Sequence, residues 1–217
     1  MKIEKLILIT TSILLFCSCG KDTGMRITTN TFANKEIIPK GFEKGASFSI
    51  KAKQKGDPLF VQEVSQKIAT LLKENGFKVK ENNADYKLNF SFAMEKSTHT
   101  RDVPVYIPDY GPWYYYDYYP YYRYRYRVVY VPEQYTLFNK ILLIEVYEKG
   151  FWKNKPIWQG IAHSYEEDSD LRDAIDYLLV TVFKYFGKNT PKRIRSKIEE
   201  NDSNVNKLRQ DYFKPIN

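Results

Sequence analysis

Two segments with helical periodicity place the strongest constraint on the fold. One lies between Asp170 and Gly187, and its apolar residues recur at i, i+3, i+4 and i+7: Leu171, Ala174, Ile175, Leu178, Leu179, Val182, Phe183 and Phe186. The other begins at Pro58, with Asp57 as the predicted N-cap, and ends at Gly76. Each helix has a single apolar stripe, so each must bury that stripe against another layer of the domain.

Short alternating segments supply that second layer. Their apolar residues repeat with the period of a β-strand, and they lie at Phe48–Ala52, Phe77–Val79, Ala84–Phe92, Tyr135–Glu148 and Ile157–Tyr165. The order of strands and helices predicts an α+β fold, with a small antiparallel or mixed sheet that carries both amphipathic helices on one face. We assign this domain to residues 41–187.

The flanks of the domain are polar. Residues 19–40 are rich in Thr and Asn with little periodicity, which predicts a tether. Residues 188–217 are polar and basic, which predicts a mobile or weakly helical tail.

The N-terminus has the pattern of a secretion signal. Lys2 and Lys5 precede an apolar run from Leu6 to Phe16, which is shorter than the roughly 20 residues that a membrane-spanning helix needs. Ser18-Cys19 ends this run and resembles a bacterial lipobox. We therefore predict that residues 1–18 are a signal peptide and that Cys19 carries fatty acids such as palmitate. A plain cleaved signal and an uncleaved anchor are the alternatives.

The predicted compartment follows from the same segment. The only cysteines are Cys17 and Cys19, so the mature domain has no disulfide and no Cys–metal site. No Asp follows Cys19 directly, which favours the outer membrane, facing the periplasm or the cell exterior. The formal net charge of +8 suits nucleic acid, an anionic membrane or an acidic polymer. Export argues against nucleic acid, so the expected partners are the membrane, through the lipid anchor, and an envelope protein, glycan or lipid.

Two local patterns resemble a known family. In Leu71–Phe92 a helix ends at Gly76 and leads to Ala84-Asp85 before a strand, and in Leu142–Glu167 a strand and hairpin reach Trp158 and Gly160. These patterns are similar to those of the bacterial lipoproteins of the domain of unknown function 4136 family, over roughly residues 30–186. The resemblance implies an envelope location and an α+β fold, and it supplies no activity and no site residues.

Catalytic and metal-binding patterns are weak. The chain has two histidines, His99 and His163, without the spacing of a zinc site. Asp168, Asp170 and Asp173 are typical of a helix N-cap and first turn. There is no Gly-rich phosphate loop and no GxSxG motif. We therefore expect no enzyme activity, no cofactor and no metal, with a hydrolytic enzyme as the third-ranked alternative.

The insert at residues 104–132 is the most unusual part of the chain. Twelve of the nineteen tyrosines lie between Val105 and Val131. Its first part contains several prolines and predicts irregular structure, whereas Tyr121–Val131 alternates as a strand with Tyr on one face and Arg on the other. Tyr offers large, rigid contact area, so we predict a candidate binding surface. It comprises Tyr114, Tyr115, Tyr116, Tyr122, Arg123, Tyr124, Arg125, Tyr126 and Arg127.

Two further interpretations of this insert stay open at the level of sequence. It fits a low-complexity insert without a fixed partner, and Tyr is also enriched where proteins meet the membrane surface. The favoured function is a non-catalytic envelope lipoprotein that binds or scaffolds at the outer membrane. The alternative is a lipid- or glycan-binding accessory factor of an envelope transport or assembly machine.

The lipoprotein hypothesis makes a direct prediction. Cys19→Ala should release the protein from membranes or leave it unprocessed, because the thiol that accepts the acyl chains is lost. Membrane fractionation and the intact mass of the protein measure both outcomes. Full processing with unchanged membrane attachment would contradict lipidation at Cys19.

Overall fold

The computed structural model describes residues 24–53, 56–108, 126–150 and 155–212. In chain order these residues form β1 (Gly24–Ala33), β2 (Ser47–Ala52), α1 (Pro58–Glu74), β3 (Lys78–Val79), β4 (Tyr86–Pro108), β5 (Tyr126–Glu148), β6 (Trp158–Glu166), α2 (Leu171–Phe183), β7 (Ile194–Glu199) and α3 (Ser203–Tyr212). The predicted α+β class is confirmed. Within the described ranges, no helix is long and apolar enough to cross a membrane.

All seven strands belong to one mixed sheet, in the order β3-β2-β4-β5-β6-β1-β7. The pairs β2–β3 and β2–β4 are parallel, and the pairs from β4 to β7 are antiparallel. The sheet is larger than the small one predicted, because the flanks of the domain supply two of its strands.

The helices cover one face of this sheet. Asp57 caps α1 by accepting a hydrogen bond from the Leu59 backbone N–H at 2.9 Å, as predicted. Asp170 caps α2 and accepts from the Arg172 backbone N–H at 2.8 Å, which confirms the assignment of that acidic residue to a helix start. Helix α1 packs on β2 and β3, while α2 packs on β1, β5 and β6.

A close approach between helix and sheet occurs at Gly160. The register places Gly160 opposite Ile144 on β5 and Thr31 on β1, in the row that faces α2. A Cβ added at Gly160 would lie 2.5 Å from the Trp158 ring and 2.7 Å from a methyl group of Val182. The missing side chain therefore provides the space in which the buried Trp158 ring and α2 meet.

Buried charges join the three helices. The Lys67 ammonium of α1 donates to Glu63 Oε1 at 2.8 Å and to Asp176 Oδ1 of α2 at 2.6 Å. Arg209 Nε of α3 donates to the other Asp176 oxygen at 3.2 Å. Burial raises the pKa of Asp176, and the hydrogen bonds from Lys67 and Arg209 oppose that rise. Removing one partner would leave a buried charge uncompensated.

The predicted tether and tail are wrong where the structure describes them. Residues 24–33 of the assigned tether form β1, which lies between β6 and β7 inside the sheet. In the assigned tail, β7 pairs with β1, and α3 buries Val205 and Leu208. Periodicity failed for β1 because its core-facing Thr29 and Thr31 are polar yet fully buried. The Thr31 hydroxyl donates to the Lys188 carbonyl at 2.9 Å.

Glycine 160 gives a stability prediction. Gly160→Ala should lower the free energy of unfolding by about 1–3 kcal/mol, because the new methyl group overpacks the contact with Trp158 and Val182. Gly56→Ala is the matched control, since a Cβ there meets nothing closer than 3.6 Å. Urea unfolding measures both variants. Equal stabilities of the two would show that the sheet and α2 adjust freely at Gly160.

Candidate functional site

Strands β4 and β5 continue together well past the rest of the sheet. Strand β6 pairs with β5 only from Phe138 onward, and β2 pairs with β4 only up to Phe90. Residues 97–108 and 126–137 pair with each other, from Ser97↔Leu137 to Pro108↔Tyr126. We call these two segments the ribbon arm. Twelve residues at about 3.3 Å each make it roughly 40 Å long.

One face of the ribbon arm presents tyrosines. The register pairs Tyr106 with Val128, Pro108 with Tyr126 and Pro104 with Tyr130, so these side chains share a face. Tyr106 and Tyr130 are each 66% exposed, and Tyr126 is 58% exposed. We call this the Tyr face. It combines large apolar ring area with hydroxyl groups that remain available for hydrogen bonds.

The opposite face of the ribbon arm is aliphatic. Val105 pairs with Val129, Val103 with Val131, and Ile107 with Arg127. Val105, Ile107 and Val131 are all more than 40% exposed. A two-stranded ribbon with apolar side chains exposed on both faces is marginally stable alone in water. Exposed apolar surface of this kind is typical of a contact site.

The base of the ribbon arm is fixed by polar and aromatic contacts. Arg101 Nε donates to Glu133 Oε2 at 2.9 Å, across the two strands. The Arg101 guanidinium also lies 5.1 Å from the Tyr135 ring centre and 3.8 Å from Glu167 beyond β6. These contacts orient the ribbon arm relative to the sheet.

A second candidate site lies on the sheet face that the helices leave uncovered. Across β6, β1 and β7, His163 pairs with Thr28 and Thr28 pairs with Arg195. These residues line a groove of about 900 Å³, which we call the basic groove. Its other lining residues are Arg26, Tyr165, Lys192, Arg193 and Ile194.

Among the residues that the structure describes, the lining of the basic groove has four cations and no carboxylate. Within the part of the chain that the structure describes, Lys192, Arg193 and Arg195 make no ion pair. Partial burial lowers the pKa of His163, and the nearby charge of Arg193 lowers it further. Such a groove attracts phosphate or carboxylate groups.

A smaller cavity of about 230 Å³ lies on the helix side, and its described lining holds two cations, Lys140 and Arg209, and four carboxylates, Glu166, Asp168, Asp173 and Glu200. Lys140 Nζ is 3.9 Å from Asp168, and Arg209 pairs with Asp173. Burial raises the pKa of Glu166 at its edge. In the described ranges no three His, Cys, Asp or Glu side chains are grouped as a metal site would require.

The structure places only two of the predicted surface residues. Tyr126 and Arg127 lie at the start of β5 and point to opposite faces, as the alternation predicted. Tyr114, Tyr115, Tyr116, Tyr122, Arg123, Tyr124 and Arg125 lie outside the described residues, and so does Cys19. Irregular structure was predicted from Tyr106 onward, whereas β4 runs to Pro108.

Sequence reasoning missed several residues of both sites. Tyr106 and Tyr130 were not assigned to the candidate surface, although the alternating VPVYIP segment carried the signal for the first of them. The basic groove was missed because its residues come from β1, β6, β7 and the segment just before β7, and these elements are far apart in the chain. The alternation of Arg193, Arg195 and Lys197 was its only local sign.

Comparisons with solved structures give remote likenesses. The PelC dodecamer of Paraburkholderia phytofirmans matches at 10% identity and a TM-score of 0.41, over 75% of this chain and 99% of that one. A PDZ domain protein of Parabacteroides distasonis matches at 11% identity and a TM-score of 0.40, over 81% of this chain and 40% of that one. No curated protein matches the sequence.

The family comparison is decisive for classification. The model of the domain of unknown function DUF4136 matches residues 30–186, which is most of the chain. That range contains β4, the Trp158–Gly160 contact and α2. The family named from the sequence is confirmed, and the chain belongs to the DUF4136 family.

Proposed function

We propose that this protein is a non-catalytic lipoprotein of the outer membrane that binds a partner through the ribbon arm. Lipidation at Cys19 would hold it at the membrane, facing the periplasm or the cell exterior. The observation that carries the proposal is the ribbon arm itself, because it exposes Tyr106, Tyr126 and Tyr130 on one face.

The shape of the ribbon arm supports binding rather than chemistry. Rigid tyrosines supply contact area at a low cost in side-chain entropy. The arm carries Arg101 and Glu133 as a mutual ion pair at its base, so these charges are engaged with each other. A partner that covers the exposed apolar side chains would stabilise the two-stranded ribbon.

The basic groove favours a second candidate function. Its cations would bind the anionic head group of a lipid or the acidic groups of a glycan. In that case the protein would act as a lipid- or glycan-binding accessory factor of an envelope transport or assembly machine.

The binding proposal is tested by deleting Val105–Val131. The deletion should shift the melting temperature by less than about 3 °C, because the removed strands pair with each other beyond the sheet. The species that copurifies with the intact protein from detergent-solubilised envelopes should be lost. Unchanged copurification would contradict recognition by the arm.

A matched pair of double variants separates the two faces of the arm. Tyr106→Ser with Tyr130→Ser alters the Tyr face, and Val105→Ser with Val131→Ser alters the aliphatic face. We expect the first pair to weaken copurification more strongly, since tyrosines supply the larger contact area. The reverse order would assign recognition to the aliphatic face.

The basic groove is tested through His163. Arg193→Gln should raise the pKa of His163 without restoring it fully, because burial is the larger cause of its depression. NMR titration of the imidazole measures this, with His99 as the second histidine in the spectrum. Lys78→Gln removes a distant charge as the control. An unchanged His163 pKa in Arg193→Gln would show that Arg193 does not face the groove in solution.

A further inference from the structure

The strand directions place the ribbon arm and the start of β1 at the same end of the sheet. Phe138 of β5 pairs with Glu166 of β6, and Ser164 of β6 pairs with Ile27 of β1. The residues of β5 that precede Phe138 therefore continue beyond the end of the sheet at which Gly24 lies. The chain that precedes Gly24 leads from this same end to Cys19.

The chain between Cys19 and the sheet is short compared with the ribbon arm. Gly20–Thr23 is the whole connection between Cys19 and the first residue of β1. Even fully extended, the steps from Cys19 to Gly24 span less than about 18 Å. The ribbon arm extends roughly 40 Å from this end. A membrane that holds an acylated Cys19 thus lies within reach of the arm.

We infer that the partner of the ribbon arm is the bilayer to which Cys19 is attached, with the Tyr face at the level of the lipid head groups. This inference rests on the lipid attachment proposed above, and it names the partner of the same arm. The arm lies along the membrane surface or enters its interfacial layer, because its length exceeds that of the connection to Cys19.

The side chains of the arm suit this environment. Tyrosine is enriched at membrane interfaces, where the ring contacts acyl chains and the hydroxyl contacts water and head groups. Val105, Ile107 and Val131 add exposed aliphatic surface on the other face. Arg127 can extend its guanidinium toward lipid phosphates. The arm therefore gains, at a lipid surface, the apolar burial that it lacks in water.

The basic groove begins near the same end of the sheet, on the face that the helices leave uncovered. Arg26 lies two residues after Gly24, and it pairs across the sheet with Lys197 of β7. Lys192, Arg193 and Arg195 line the groove beside it. Cations near an anionic membrane surface strengthen attachment, so the groove should favour bilayers that contain anionic lipid.

The test uses the mature chain, residues 19–217, with Cys19→Ser, which keeps every described element and removes the acylation site. No other cysteine remains, so a single introduced thiol can be labelled with an environment-sensitive fluorophore. Val128→Cys places the label on the Tyr face. Lys149→Cys, in the turn that follows β5 at the opposite end of that strand, is the control. The vesicles contain about one quarter phosphatidylglycerol in phosphatidylcholine.

We expect the fluorescence emission of the label at Val128→Cys to shift to the blue when these vesicles are added. Lipids that carry a nitroxide in the acyl chain should quench this fluorescence. The label at Lys149→Cys should change in neither respect. No response at Val128→Cys would overturn the inference, and so would equal responses at both sites. A response to protein concentration alone, without vesicles, would assign the arm to a second copy of the chain and would also overturn it.

A charge-matched pair of variants tests the contribution of the groove. Arg193→Gln with Arg195→Gln should weaken vesicle binding about 25-fold, since each cation near an anionic surface contributes about fivefold. Lys78→Gln with Lys80→Gln removes the same charge from β3 and the residue after it, and should have little effect. Equal losses would show that net charge alone attracts the protein, which would contradict a specific orientation.

The failure of this inference is distinguishable from failure of the proposed function. Acylation is read separately, from the intact mass of the full chain produced with its signal and from the Cys19→Ala variant. If the protein is acylated but the label at Val128→Cys does not respond, the lipoprotein proposal stands and the bilayer is rejected as the partner of the arm. If the label responds but the protein is not acylated, lipid attachment at Cys19 is rejected and the arm remains as the contact with the membrane.

Discussion

The contact between Trp158, Gly160 and Val182 sets the position of the helical layer on the sheet. Gly160 has no side chain, so the Trp158 ring and α2 occupy that space. The indole N–H of Trp158 donates to the Lys188 carbonyl at 3.0 Å, just after α2. Two residues of β6 thus determine how closely α2 approaches the sheet, at Gly160, and where the chain leaves α2, at Trp158. From there Thr190 bonds to Thr31, which leads the chain to β7 beside β1.

Helices and central strands were predictable because their apolar residues repeat with a regular period. Asp57 and Asp170 marked the helix starts correctly, and α2 follows the predicted stripe. Strand β1 was missed because Thr29 and Thr31 are polar at core positions, and the hydrogen bonds of Thr31 are made with Thr190 and Lys188, far along the chain. Strand β7 was missed because the basic residues on its open face concealed the alternation of Ile194, Ser196 and Ile198.

The prolines of the ribbon arm misled the sequence prediction for a physical reason. The register pairs Pro104 with Tyr130, Pro108 with Tyr126 and Pro132 with Asp102. All three prolines therefore occupy the same set of alternating positions along the ribbon arm. Each strand of an isolated ribbon has one free edge, where a missing N–H costs no ladder bond. Of the candidate site, the alternation at Tyr126 and Arg127 was predictable, whereas the basic groove depends on strand order, which the sequence does not display locally.

The position of β1 has a consequence for the order of folding. Ile27 pairs with Ser164 on one side and with Ser196 on the other, so the first strand of the chain completes the sheet only when its last strands are present. Contacts between such distant residues slow folding, because a long loop must close before they form. Until β1 arrives, β6 has an open edge that could pair with another chain. The native sheet is thus assembled after synthesis is nearly finished, and the N-terminal strand is the part whose delay would leave the protein most prone to aggregate.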